Sequence, residues 1–209
     1  PGVSGRGRVL VATRSAGKLR ELAPMLAAHG WDAVDLDTAG IEERPAEENA
    51  LEVAATFAEN ALAKGRYFHA RSGLPTLSDD SGLEVEALGG EPGVRSKRWS
   101  NRPELTGDAL DAANNARLLS ALDGAASRAA RYVCAAAWVD GSGETVALGE
   151  TAGRILEAAE GAGGFGYDPL FFSVDLGASF GVVSAAEKAR VSHRARAVQA
   201  LLRIVCAGS

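Results

Sequence analysis

The first regular pattern in the chain is a short β-branched run, Val9-Leu10-Val11-Ala12, which reads as a strand ending at Thr13. Leu19, Leu22, Ala23 and Leu26 then recur at the spacing of one helix face, so a strand, a turn and a helix follow from these positions alone. Pro24 falls inside that helix, where it either removes a hydrogen bond or kinks the axis. Residues 37–51 are acidic and aperiodic. After them Val53, Phe57, Ala61 and Lys64 share one face of a second helix, with Glu52 at or near its N-terminus. Residues 74–79 and 83–88 read as two short strands joined through an Asp79-Asp80-Ser81-Gly82 turn.

Gly89, Gly90, Pro92 and Gly93 mark a loop, and Leu110, Ala113, Leu118 and Leu122 make 105–122 helical. Arg131–Val139 and Glu144–Glu150 read as longer strands joined by the hairpin-like Asp140-Gly141-Ser142-Gly143. Residues 161–166 contain four glycines, and a last helix runs from about Arg194 to Val205, with Ser192 placed to cap it. No repeat or long linker divides the chain, which is expected to form a single domain over 9–206 after a flexible segment, 1–8.

At 209 residues, with 46% hydrophobic and 23% charged positions, the composition is that of a soluble globular protein with a substantial core. No apolar stretch nears the ~20 residues of a bilayer span, and the opening residues lack a signal peptide's apolar segment, so a cytoplasmic protein is expected. A net charge of −5 argues against a nucleic-acid partner. Arg95, Lys97 and Arg98 beside Trp99 read as a solvated basic loop. Cys134 and Cys206 have no metal spacing and are expected as buried free thiols.

Chemistry concentrates in a few places. Asp79 and Asp80 are adjacent anions that raise the cost of ionising one another, a setting that suits Mg²⁺, although a solvated turn has the same composition. Thr13-Arg14-Ser15-Ala16-Gly17-Lys18 lies where strand passes to helix, which offers unpaired N–H groups and a lysine to a phosphate or is an ordinary turn. It is not a Walker A loop, since Ala12 and Leu19 stand where that loop needs Gly and Ser or Thr. Gly163-Gly164-Phe165-Gly166-Tyr167-Asp168-Pro169 combines close backbone access with rings that stack on a flat base or fill a core. Lys188, Ser192, His193 and Arg194 supply donors near the last helix. His29 and His69 read as surface or boundary residues.

Six motifs, taken in order, resemble the non-canonical purine NTP pyrophosphatases, also called inosine triphosphate pyrophosphatases or XTP/dITP diphosphatases. They are Thr13-x-x-x-x-Lys18, Phe57-x-Glu59-Asn60-Ala61, Asp79-Asp80-Ser81-Gly82-Leu83, Leu88-Gly89-Gly90-x-Pro92-Gly93, Gly163 to Pro169 and Ser192-His193-Arg194, within a resemblance running from Val9 to Leu202. The resemblance implies an α/β fold, an elongated mixed twisted sheet with flanking helices and two lobes around a central cleft, and a homodimer. It implies Mg²⁺-dependent hydrolysis of ITP, dITP and XTP between the α- and β-phosphates. Asp80 would be general base and metal ligand with Glu52 and Asp79, and Lys18 would act on the phosphates. Thr13, Arg14, Ser15, Ala16, Gly17, Lys18 and Ser81 would bind the triphosphate. Phe165, Gly166, Tyr167, Asp168, Lys188, His193 and Arg194 would bind the base, with Phe165 or Tyr167 stacking and the last three offering donors to a 6-oxo group. One departure is plain: the family's first motif reads Thr-Gly-Asn where this chain has Thr13-Arg14-Ser15. A pyrophosphatase for modified pyrimidine nucleotides and a non-catalytic nucleotide-binding module are the competing readings.

Overall fold

The computed structural model describes residues 6–207. Its strands form one seven-stranded mixed sheet in the order β2-β1-β3-β4-β5-β6-β7, made of β1 (Gly7–Val11), β2 (Trp31–Val34), β3 (Thr76–Val85), β4 (Ala129–Asp140), β5 (Gly143–Ile155), β6 (Phe171–Ser173) and β7 (Ala178–Ser179). The helices are α1 (Ala16–Ala28), α2 (Pro45–Asn49), α3 (Phe57–Ser72), α4 (Gly107–Ala121), α5 (Ala185–Val191) and α6 (His193–Ala207). No helix among the described residues is long and apolar enough to cross a membrane. The chain divides into two compact units, one holding residues up to Asp80, Cys134–Gly149 and the chain from Arg194 onward, the other Ser81–Val133 and Glu150–His193.

In the first unit β1 pairs in parallel with both β2 and β3. Strand alternation sends Val9 and Val11 into one core with Leu22, Leu26, Leu77, Trp138 and Leu201, and Leu10 and Ala12 into a second core with Leu36, Ile41 and Phe68. Burial of both faces explains why β1 reads as an unbroken apolar run. Pro24 stays within a continuous α1, on its exposed side. In the second unit Leu83, Val85, Leu118, Tyr132, Tyr167, Phe171 and Phe180 form the core.

Several expectations are corrected. Asp79-Asp80-Ser81-Gly82 is not a turn; it lies inside the continuous strand β3, because pairing of β3 with its neighbour β4 outweighs the turn preference of its residues. The second helix starts at Phe57, where the Thr56 hydroxyl accepts from the Glu59 N–H, and Val53 is outside it and 76% exposed. Gly7 and Arg8 pair with Trp31 and Asp32 in β1, so the strand begins within the segment expected to be flexible. Residues 1–5 of that segment lie outside the described residues. The hairpin is present with longer strands, and Asp140 accepts from both the N–H and the hydroxyl of Ser142 in its turn. Cys134 is buried as expected, whereas Cys206 is half-buried, and both are free thiols.

Candidate active site

Because β3 is a strand, its two aspartates point to opposite faces. Asp80 turns to α3, where Asn60 Nδ2 donates to its Oδ2 at 2.9 Å. Two residues earlier on the same face, the Ser78 hydroxyl donates to the Ala61 carbonyl at 2.7 Å. This close docking of α3 on β3 needs Gly65, where a Cβ would stand 2.9 Å from Ser78 Oγ and 2.8 Å from Val139. Lys64, one turn beyond Asn60, is buried; its ammonium donates to the Asp79 carbonyl at 2.8 Å and pairs with Glu52. Desolvation opposes the charge on Lys64, but Glu52, Asp79 and Asp80 outweigh it and hold the ammonium above its ordinary pKa.

Asp79 faces a different set of partners. Its Oδ2 accepts from Lys18 Nζ and from Arg194 Nε, both at 3.0 Å, with Cys134 Sγ at 3.9 Å. Arg194 also pairs with Glu21 of α1. Burial would raise the Asp79 carboxyl, yet Lys18, Arg194 and Lys64 together hold it well below the usual range. Asp80 goes the other way. Burial dominates there and raises it, Glu52 adds to the rise, and Lys64, Lys18 and Asn60 only partly offset it.

The turn after β1 is organised around Ser15, the N-cap of α1, whose hydroxyl accepts from the Lys18 N–H at 3.3 Å. Thr13 Oγ1 accepts from the Ser15 N–H at 3.1 Å, and Ala16 and Gly17 form the first helical turn that carries Lys18 back to Asp79. Arg14, expected at the phosphates, instead makes a two-pronged pair with Glu48 at 2.9 and 3.1 Å and donates to the Ile41 carbonyl at 3.1 Å. The departure from Thr-Gly-Asn therefore fastens this turn to α2. Ser81 follows Asp80 in β3 and is half-buried.

The second unit organises the aromatic loop. Asp168 is buried, and its Oδ2 accepts from the Phe165 N–H at 2.9 Å and from Lys188 Nζ at 2.6 Å. Gly164 has a φ of +75°, and a Cβ there would lie 2.0 Å from that same oxygen. A capping box, Ser184 with Glu187, starts α5 and places Lys188 with its ammonium 4.8 Å from the Phe165 ring centroid. Phe165 and Gly166 are half-exposed. Tyr167 is a core residue whose hydroxyl donates to the Ser96 carbonyl at 2.7 Å, so of the two rings expected to stack, Phe165 is the one with surface to offer. His193 stacks on Tyr132 with centroids 4.5 Å apart. Arg194, expected beside it at the base, is buried on Asp79 and Glu21 in the first unit.

Whether the carboxylates suit Mg²⁺ depends on their partners. Asp80 and Glu52 bring hard oxygens, and each suffers from the other's charge, which a divalent cation relieves. Asp79 already carries two cationic partners and fits that role poorly. Among the described residues no group of three or more His, Cys, Asp or Glu is arranged to hold a metal ion. Two hard carboxylates are the protein share that suits a cation whose remaining positions are filled by phosphate oxygens and water.

A model of the Ham1 family matches residues 9–204. The chain belongs to the Ham1 family. Among its Ham1 relatives, the dITP/XTP pyrophosphatase of Mycolicibacterium paratuberculosis is 48% identical over 201 residues, 93% of each chain. That of Leptothrix cholodnii is 43% identical over 210 residues, covering 95% of this chain and 96% of its own. A HAM1 protein from Coxiella burnetii has the same fold, with a TM-score of 0.80 at 28% identity over 95% of this chain and 98% of that one.

In this Ham1 chain the partners that no sequence motif singles out for chemistry are Asn60, Glu21 and Lys64. A lysine and an asparagine beside Phe57 and Ala61 on a packed face were the available signal, since buried polar groups need partners.

Proposed function

We propose that this Ham1 chain hydrolyses non-canonical purine nucleoside triphosphates, namely ITP, dITP and XTP, to the monophosphate and pyrophosphate, and so clears them from the nucleotide pool. The observation that carries this reading is the Asp80 carboxylate, buried and held on one oxygen by Asn60, which leaves its other oxygen to meet a water. Asp80 takes a proton from the water that attacks the α-phosphate, and the bond to the β-phosphate oxygen breaks as pyrophosphate leaves. Lys18 and the N–H groups at the start of α1 hold phosphate oxygens and stabilise the charge on that leaving group. Glu52 and Asp80 would hold Mg²⁺, which supplies charge neutralisation to the triphosphate when bound. Asp79 acts as an anchor that keeps Lys18 and Arg194 in place.

Base selection falls to the second unit. Phe165 gives a stacking face, and Lys188 with His193 gives donors that suit the 6-oxo group of hypoxanthine or xanthine. Adenine sets an amino donor against these donors, and a site whose buried polar groups are left unpaired rejects a wrong ligand by about 10⁴ to 10⁵. A homodimer, which rests on the resemblance, and a cytoplasmic location, which rests on the composition, complete the proposal. The test is a panel of ITP, dITP, XTP, GTP, ATP and pyrimidine triphosphates with Mg²⁺ and product identification. Turnover of the first three to monophosphate and pyrophosphate is expected, and orthophosphate as the first product would overturn the cleavage site.

A further inference from the structure

The Phe165-Gly166 peptide is gripped by more than its own loop. Asp168 Oδ2 accepts from the Phe165 N–H at 2.9 Å, and the next N–H, that of Gly166, donates to Asp111 Oδ2 at 2.7 Å. The Gly166 carbonyl accepts from Asn115 Nδ2 at 3.0 Å. Asp111 and Asn115 are four residues apart on α4, so they present one donor and one acceptor from the same helix face. That helix is itself fixed. Asn114 donates to the Lys97 carbonyl at 3.1 Å and accepts from the Ser100 N–H at 2.7 Å, and Leu118 is in the core.

Gly166 has a φ of +65° and Gly164 one of +75°, in a stretch whose glycines would otherwise sample many conformations. Tyr167, next in the chain, is tied to Ser96. Three side chains, two of them from a helix that carries none of the recognition motifs, thus hold three successive peptide groups around Phe165. We propose that Asp111 and Asn115 are positioning residues for purine recognition. They hold the Phe165 platform in its stacking position before the base arrives, and this rests on the reading of Phe165 as that platform. A loop already ordered in the free protein does not charge its ordering against binding.

The consequence is confined to the base. In Asp111→Ala and Asn115→Ala, the KM for ITP and the inhibition constant of IMP rise about 3- to 10-fold, the worth of one hydrogen bond. The inhibition constant of inorganic pyrophosphate, which has no base, stays within about 2-fold, as does kcat, since binding common to substrate and transition state affects KM alone. Asn115→Asp sets an acceptor against the Gly166 carbonyl and matches or exceeds the alanine effect. Asp111→Asn keeps an acceptor oxygen and restores most of the affinity. Phe165→Ala is measured alongside. If it leaves IMP binding unchanged, the platform reading fails and the inference with it. If Phe165→Ala weakens IMP binding but the Asp111 and Asn115 variants do not, the positioning role is refuted while the platform stands. Equal weakening of IMP and pyrophosphate in those variants also refutes it.

Discussion

Asp79 and Asp80 are chemically identical neighbours whose neutralisation should shift stability in opposite directions. In Asp79→Asn, Lys18 and Arg194 lose an anionic partner at 3.0 Å each. At that separation an effective dielectric of ~20 gives about 5 kcal/mol of attraction per contact before desolvation is subtracted. Removing one partner of a buried pair costs about 3–5 kcal/mol net. Glu21 still faces Arg194, which places the expected loss at the lower end, about 3 kcal/mol, or about 6–12 °C in Tm for a chain of this size. Asp80→Asn removes a charge that burial already disfavours, so the metal-free variant should be more stable than the parent. The pH dependence separates them further. Asp79 has a lowered pKa in the fold, so its contribution is present above the ordinary carboxylate range, about 4, and is lost as pH falls through its folded value. Asp80 has a raised one, so its contribution is present below that range and is lost as pH rises through its folded value. Thermal and urea melts in EDTA at pH 8 and in acid test both. The two variants should lie on opposite sides of the parent at pH 8 and converge toward it in acid. Shifts of the same sign and size at pH 8 would refute the separation of the two carboxylates.

Three other substitutions probe the same construction. Tyr167→Phe removes the hydrogen bond to the Ser96 carbonyl and should cost about 1–2 kcal/mol of stability in urea melts, without the loss of base affinity that Phe165→Ala brings. Gly164→Ala forces a Cβ toward Asp168 Oδ2 at a positive φ; about 1–3 kcal/mol of strain and a higher KM for ITP are expected. Arg14→Ala releases Glu48 and the Ile41 carbonyl upstream of Glu52, so the Mg²⁺ concentration for half-maximal rate should rise, while Asp37→Ala should leave it unchanged.

The legible parts of the fold were those with a period. β1, α1, α4 and the β4–β5 hairpin follow from apolar spacing and a four-residue turn cluster, and each is present. β3 was hidden because Asp, Ser and Gly favour turns locally, and only pairing with strands distant in sequence keeps them extended. β2 is four residues long with Asp32 within it, too short and mixed for a pattern. In the candidate site, motif order singles out Lys18, Asp80 and Phe165 but says nothing of their partners. Arg194 pairs with Glu21, 173 residues away, and nothing local distinguishes a guanidinium that meets a carboxylate from one that meets a base. Phe165 and Tyr167 are likewise equivalent in composition; the bond from the Tyr167 hydroxyl to Ser96 is what assigns one to the core.

Hydrolysis of ITP in ¹⁸O-labelled water, with both products weighed by mass spectrometry, tests the central assignment most directly. Water activated by Asp80 and directed at the α-phosphate puts the label in IMP and none in pyrophosphate, and Asp80→Asn abolishes both products while remaining folded. Label in the pyrophosphate, or near-normal turnover by the Asp80→Asn variant, would contradict the account.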